Sequence, residues 1–177
     1  MSTILGGNFQ GIYSEDDVSK GKCPAVGVYA QMVDSAGRIG GYLMCKVAAS
    51  QNLIVGQVVT VAANHVVTVC AANAGAQSAN ASSANMLAVC INSITASASQ
   101  QIWCQVFGRS NVLVTSASTN PGIALKISGT AGQVDASLTS ISAFCGGIVL
   151  VATSGAANAL TACFLTFPRF SPMGDTA

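Results

Sequence analysis

Few side chains in this 177-residue sequence can do chemistry, and their spacing limits what that chemistry could be. The single histidine, His65, sits within Ala63-Asn64-His65-Val66. Nucleophilic catalysis by Ser-His-Asp or Cys-His needs an imidazole held by an orienting group. A histidine among small, turn-forming residues fits a surface turn better. The carboxylates are Glu15, Asp16, Asp17, Asp34, Asp135 and Asp175. Glycoside hydrolysis needs two of them facing across a cleft, yet all but Asp135 fall towards the two ends of the chain. Glu15-Asp16-Asp17 offers oxygen ligands of the kind calcium takes, without the EF-hand spacing. The seven cysteines (Cys23, Cys45, Cys70, Cys90, Cys104, Cys145 and Cys163) contain no C-x-x-C pair. Tetrahedral zinc requires close ligand pairs or more histidine. Neither G-x-G-x-x-G nor G-x-x-x-x-G-K-[ST] occurs, so no phosphate-cradling loop is expected. These residues predict no enzyme, no metal, no cofactor and no small-molecule substrate.

Other candidates concern binding. Arg109 follows Phe107-Gly108, and Arg169 lies within Phe167-Pro168-Arg169-Phe170. Either could anchor an interface through a bidentate contact, and either could simply keep a strand end hydrated. Phe9, Ile12 and Tyr13, isolated apolar residues near the start, are further interface candidates. Trp103 with Phe107 could stack on a base or sugar, but a place in the core explains them better. Most cysteines lie in apolar runs such as Leu43-Met44-Cys45 and Val89-Cys90-Ile91, as small core hydrophobes do. Met1 to Gly7 shows neither a positive n-region nor an apolar h-region, so synthesis in a reducing cytoplasm is the expectation.

The elements that must position these residues follow from composition. Charged residues are 7% of the chain, against about 25% for an ordinary domain. Hydrophobic residues are 51%, which excludes a disordered chain. A net charge of +1 argues against nucleic acid and anionic membrane as partners, since both need clustered Lys and Arg. Low charge also favours association. Seven of the thirteen charges fall in the first forty residues, and none lies between Lys46 and Arg109. Residues 1–40 therefore read as an N-terminal arm that either drapes over a neighbour or packs on its own domain. Residues 41–170 form the β-rich domain, and 171–177 a tail.

From Gly40 onwards, short apolar runs alternate with Gly, Ser, Asn and Ala. They start at Tyr42, Val58, Val66, Met86, Ile102, Val112, Ile123, Val134, Ile148 and Leu160. About ten short strands predict an all-β antiparallel sandwich or barrel with an extended N-terminal arm. Ala62-Ala63-Asn64-His65 reads as a hairpin turn, and the run Ala71 to Ala84 as a loop. Gly146 to Phe167 carries no charge and imitates a membrane span, but Ser154-Gly155-Ala156-Ala157-Asn158 interrupts it, so two paired strands are expected. Runs such as Val66-Val67-Thr68-Val69 are apolar on both faces, and a strand with one wet face should alternate. The outer faces therefore need other copies, the arm or a partner to cover them.

Three phrases then carry a resemblance: Gln101-Ile102-Trp103-Cys104-Gln105-Val106-Phe107-Gly108, Gly129-Thr130-Ala131-Gly132-Gln133-Val134-Asp135 and Cys163-Phe164-Leu165-Thr166-Phe167-Pro168-Arg169. With the low charge and small-residue turns, residues 85–170 resemble the capsid decoration (cement) proteins of tailed bacteriophages. The resemblance implies a small β-rich virion protein, commonly a homotrimer. Such a protein sits on the outer capsid surface and cements contacts between copies of the major capsid protein. It implies no catalytic residue. Head-fibre bases, tail-tube subunits and minor coat proteins share this composition. A bacterial adhesin or pilin-like subunit is a rival of another class, expected to carry a leader and oxidised cysteine pairs.

Overall fold

The apolar runs become strands, and the Gly, Ser and Asn clusters become turns, in a computed structural model. It describes residues 12–33, 36–49, 51–72, 86–93, 100–115, 118–136, 145–149, 153–154 and 159–169. The first elements are β1 (Ile12–Tyr13), α1 (Glu15–Ser19), β2 (Tyr29–Val33), β3 (Ile39–Val47), β4 (Val58–Val61), β5 (Val66–Val69) and β6 (Met86–Cys90). The rest are β7 (Gln101–Val114), β8 (Ser118–Thr119), β9 (Leu125–Ile127), β10 (Val134–Ala136), β11 (Cys145–Val149), β12 (Thr153–Ser154) and β13 (Ala159–Arg169). All strands except the β8–β12 pair join one eleven-stranded sheet. The fold is all-β, as expected, and the described helix has five residues.

Five strands close into a barrel. β3 pairs with β5 in parallel, and β5–β4, β4–β6, β6–β7 and β7–β3 are antiparallel. Successive side chains point to opposite faces of a strand, so every second residue fills the interior. Leu43, Cys45 and Val47 alternate on β3, Val59 and Val61 on β4, and Ile102, Cys104 and Val106 on β7.

Many of the intervening residues face outwards and are nonetheless buried, although Lys46 of β3 and Thr68 of β5 are exposed. Val58 of β4, with Leu87 and Val89 of β6, packs against a second layer. That layer contains Val112 and Val114 of β7, Leu125 and Ile127 of β9, Val134 of β10, and Cys163 and Leu165 of β13. On the other side, Met44 and Trp103 are covered by Tyr13 and Ala30, with Val18, Cys23 and Val28 alongside. On these two sides the cover that the outer faces were expected to need comes from the same chain, while on β5 Val66 is half-buried and Thr68 exposed. The described part of the lead-in packs on its own domain, and the proposed boundary at residue 40 falls inside β3. The lead-in shows no sequence period because each short piece contributes only one or two apolar side chains to this cover.

β7 is one strand, where the sequence suggested two, because Gly108 bends it with φ +89° and no break in pairing. The Val58–Val69 hairpin has the expected turn, with the His65 amide donating to the Ala62 carbonyl at 2.8 Å. β11 and β13 pair antiparallel, as expected for the charge-free stretch. No helix among the described residues is long and apolar enough to cross a membrane. Residues 73–84 of the Ala-rich run lie outside the described residues.

Six described cysteines are free thiols, and all but Cys23 are buried. Burial pushes the Cys90 thiol up to about 11 and the Cys163 thiol up to about 12. Cys104 is raised well above the ordinary value by its hydrogen bond with Cys45 and by burial. Since the unfolded thiol ionises near pH 8.5, the thiols' contribution to stability is intact below that pH. It declines as pH rises towards 11–12, because the unfolded chain loses protons first. For Cys163 alone the loss is about 2 kcal/mol by pH 10, at about 1.4 kcal/mol per pH unit. Thermal unfolding at pH 8 and pH 10 should show the drop, and Cys163→Ala should flatten it. An equal slope in both proteins would refute the assignment.

Candidate interaction surface

Three of the predicted chemical residues have structural uses. Asp17 forms a capping box with Ser14: its Oδ2 accepts from the Ser14 amide at 3.1 Å and from the Ser14 hydroxyl at 2.8 Å. These bonds hold the Asp17 carboxyl below its usual range. Asp16 pairs with Lys20 Nζ at 2.6 Å. The His65 imidazole lies against Gly27, whose missing Cβ makes room for the ring, and Gly27 donates its amide to the Met44 carbonyl at 2.8 Å.

The surface that remains unused is built around Arg109. Gln105, almost fully buried, donates from Nε2 to the carbonyls of Phe107 (3.1 Å) and Arg109 (2.8 Å) and so fixes the bent segment around Gly108. β3 runs alongside, and the Ile39 carbonyl lies against Gly108, which brings Arg38 to the same place. The result is an open groove of about 240 Å³ lined by Arg38, Val55, Cys90, Ile91, Gln105, Arg109, Ser110 and Asn111. Among the described lining residues there are two arginines and no carboxylate. Its volume lies below the roughly 300–1,000 Å³ of small-molecule sites.

One exposed apolar side chain, Val55, lines this groove, and others connect to it through chain neighbours, strand pairs and ring contacts. The large exposed hydrophobics among the described residues are Val26, Val33, Ile39, Ile54, Val55, Leu160 and Phe167. Val33 pairs with Ile39, beside Arg38. Val55 lines the groove, with Ile54 next in the chain. Leu160 reaches Gly56 and sits opposite Leu113. Phe167 stacks tilted on Phe107 at 5.7 Å and on Tyr29 at 5.9 Å, and Phe107 meets Phe164 edge-on at 5.6 Å. Phe164 is the cross-strand partner of Arg109. Only Val26 has no such link to the groove. Phe167 has φ 51°, a backbone state that bulky residues rarely hold. From Leu160 to Phe167, β13 spans roughly 23 Å at about 3.3 Å per residue, comparable to one side of a standard protein interface.

No protein-family model matches this chain, and no curated protein does. Among solved structures it is similar to the N base of the head fibre gp8.5 of bacteriophage phi29, at 9% identity and a TM-score of 0.45. That alignment covers 73% of this chain and 98% of the other. A likeness of this size concerns backbone shape and carries no function.

The sequence-derived interface candidates separate. Arg109 is exposed at the groove. Ile12 and Tyr13 form β1, opposite Ile102 and Gln101, and Tyr13 is buried against Met44 and Trp103, so its ring serves the chain's own core. Trp103 is likewise core. Arg169 closes β13 opposite Met86, and its side chain lies outside the described residues, as does Phe9. Arg38, Tyr29, Phe164 and Phe167 were not singled out for binding. The aromatic phrase around Arg169 was the one available signal.

Proposed function

We propose that this chain is a non-catalytic structural subunit of a bacteriophage virion that attaches to its partner through the Arg38–Arg109 surface. The observation that carries the reading is the set of six exposed large hydrophobics and two arginines on linked strands and the turns beside them. Interfaces combine apolar anchors and arginine in this way. The resemblance of residues 85–170 to capsid decoration proteins supplies the virion context.

Two finer forms of the reading differ in how many partners the subunit must touch. A cement protein bridges neighbouring major capsid proteins, and as a single chain it would need two binding faces. The described residues offer one such apolar face flanked by arginines, because much of the barrel's other outer surface is covered in cis. A head-fibre base meets the head itself through one face, and this is the form we favour. The cement form needs a homotrimer on the outer capsid surface, so that repeated weak contacts add up.

Mass spectrometry of purified particles, with immunogold microscopy, tests the proposal. The protein should be found on heads, and Phe167→Asp should remain folded yet be lost from particles at least tenfold. Absence of the wild-type protein from particles, or undiminished incorporation of the variant, would overturn it. Gold at sparse fixed sites supports the fibre base, and gold over the whole shell supports cement.

A further inference from the structure

We infer that the Arg38–Arg109 groove receives a carboxylate side chain from an acidic segment of a different protein. This deepens the proposed function by naming the partner's chemistry. Arg109 carries the argument, since Arg38 also has an interaction of its own within the chain and adds positive potential.

Charge complementarity selects the occupant. A guanidinium presents a planar fork of donors that matches a carboxylate two bonds at a time. Gln105 holds the Arg109 backbone in place, so the fork is presented from a fixed strand. Ser110 and Asn111 add polar groups, and Val55 and Ile91 add apolar contact for the methylenes of a glutamate or aspartate. The walls limit the guest to one short side chain with its flanking backbone. None of the described lining residues is aromatic, so none of them stacks a nucleobase.

A second copy of this chain is a poor occupant. Two copies meeting through the same patch about a twofold axis would set arginines against arginines. Among the described residues, the other faces of a copy offer little free acid, because the carboxylates there are already engaged. Asp16 holds Lys20, Asp17 caps α1, and Asp135 faces Lys126 at 3.8 Å.

The test is a nuclear magnetic resonance titration of the whole ¹⁵N-labelled chain with acetyl-Ala-Glu-Ala-amide. Acetyl-Ala-Gln-Ala-amide and inorganic phosphate serve as comparison probes. The glutamate peptide should shift amides at residues 38, 55, 90–91, 105 and 109–111, and saturate. The glutamine peptide should bind at least tenfold more weakly. Arg109→Gln should cost the glutamate peptide roughly tenfold in affinity, about 1.4 kcal/mol, and Arg109→Lys should retain part of it. Three outcomes would overturn the inference. The two peptides could bind equally. Phosphate could match the peptide, indicating a general anion site. The same amides could shift with protein concentration alone, which would make a second copy the occupant. The titration reads the groove without any virion, so its failure is distinguishable from absence of the protein in particles.

Discussion

Replacing Gly108 with alanine should destabilise the fold by about 3 kcal/mol or more and leave little folded protein at 37 °C, because two costs fall on one residue. The first is conformational. With φ +89°, Gly108 occupies a region where a Cβ costs about 1–2 kcal/mol. The second is collision. A Cβ here would land on the Ile39 carbonyl oxygen and lie 3.1 Å from Gly40 Cα, and these are backbone atoms of β3 that cannot rotate away. Gly122 separates the two costs. Its φ is +83°, yet a Cβ there meets nothing within 4 Å, so Gly122→Ala should lose only about 1 kcal/mol. Urea unfolding of both variants is the measurement. Equal losses would mean that β3 and the bend of β7 are not in contact, and the Arg38–Arg109 groove would go with that contact.

Trp103→Ala should cost about 3–5 kcal/mol, the usual range for removing a large buried aromatic ring. The more informative part of the result is local. Trp103 is 2% exposed and lies between the barrel and the lead-in, in contact with Tyr13, Ala30 and Met44. Its loss leaves a cavity directly beneath the lead-in, so the amides tying that cover down should open first. The Gly27 amide bonds to the Met44 carbonyl at 2.8 Å, and the Met44 amide to the Val28 carbonyl at 2.9 Å. Hydrogen exchange at Gly27 and Met44 should accelerate more than at the barrel amides Thr60 and Thr68, which belong to the β4–β5 hairpin. Uniform acceleration would show that the lead-in and barrel open as one unit. Trp103→Phe, which refills part of the space, should recover most of the stability.

How much of this was legible in the sequence depended on whether the signal was local. The β4–β5 hairpin could be read because its turn and both of its strands lie within Gln57–Cys70. The all-β class could be read because each strand carries its own apolar run. The lead-in could not, since Tyr13, Val18 and Ala30 are spaced by the shape of the barrel and not by any strand or helix period. Gly108 looked like a strand end because glycine inside a strand is uncommon, and only the neighbouring β3 explains why the strand bends there and continues. Arg109 was visible as a candidate. Its meeting with Arg38 depends on the β3–β7 register, across about 70 residues of sequence, and no local pattern encodes that.

The position of β7 also bears on how the chain can be made. Its far half pairs with β13, yet Val114 leaves the ribosome 45 positions before Ala159, the first residue of its partner. At about 5–20 residues per second, the side of Val112, Leu113 and Val114 that faces β13 waits roughly 2–9 s for its partner. Such an edge is a template for pairing with another nascent chain. Expression at lower temperature lengthens this interval, so yield should depend on co-translational chaperones more than on the stability of the finished molecule.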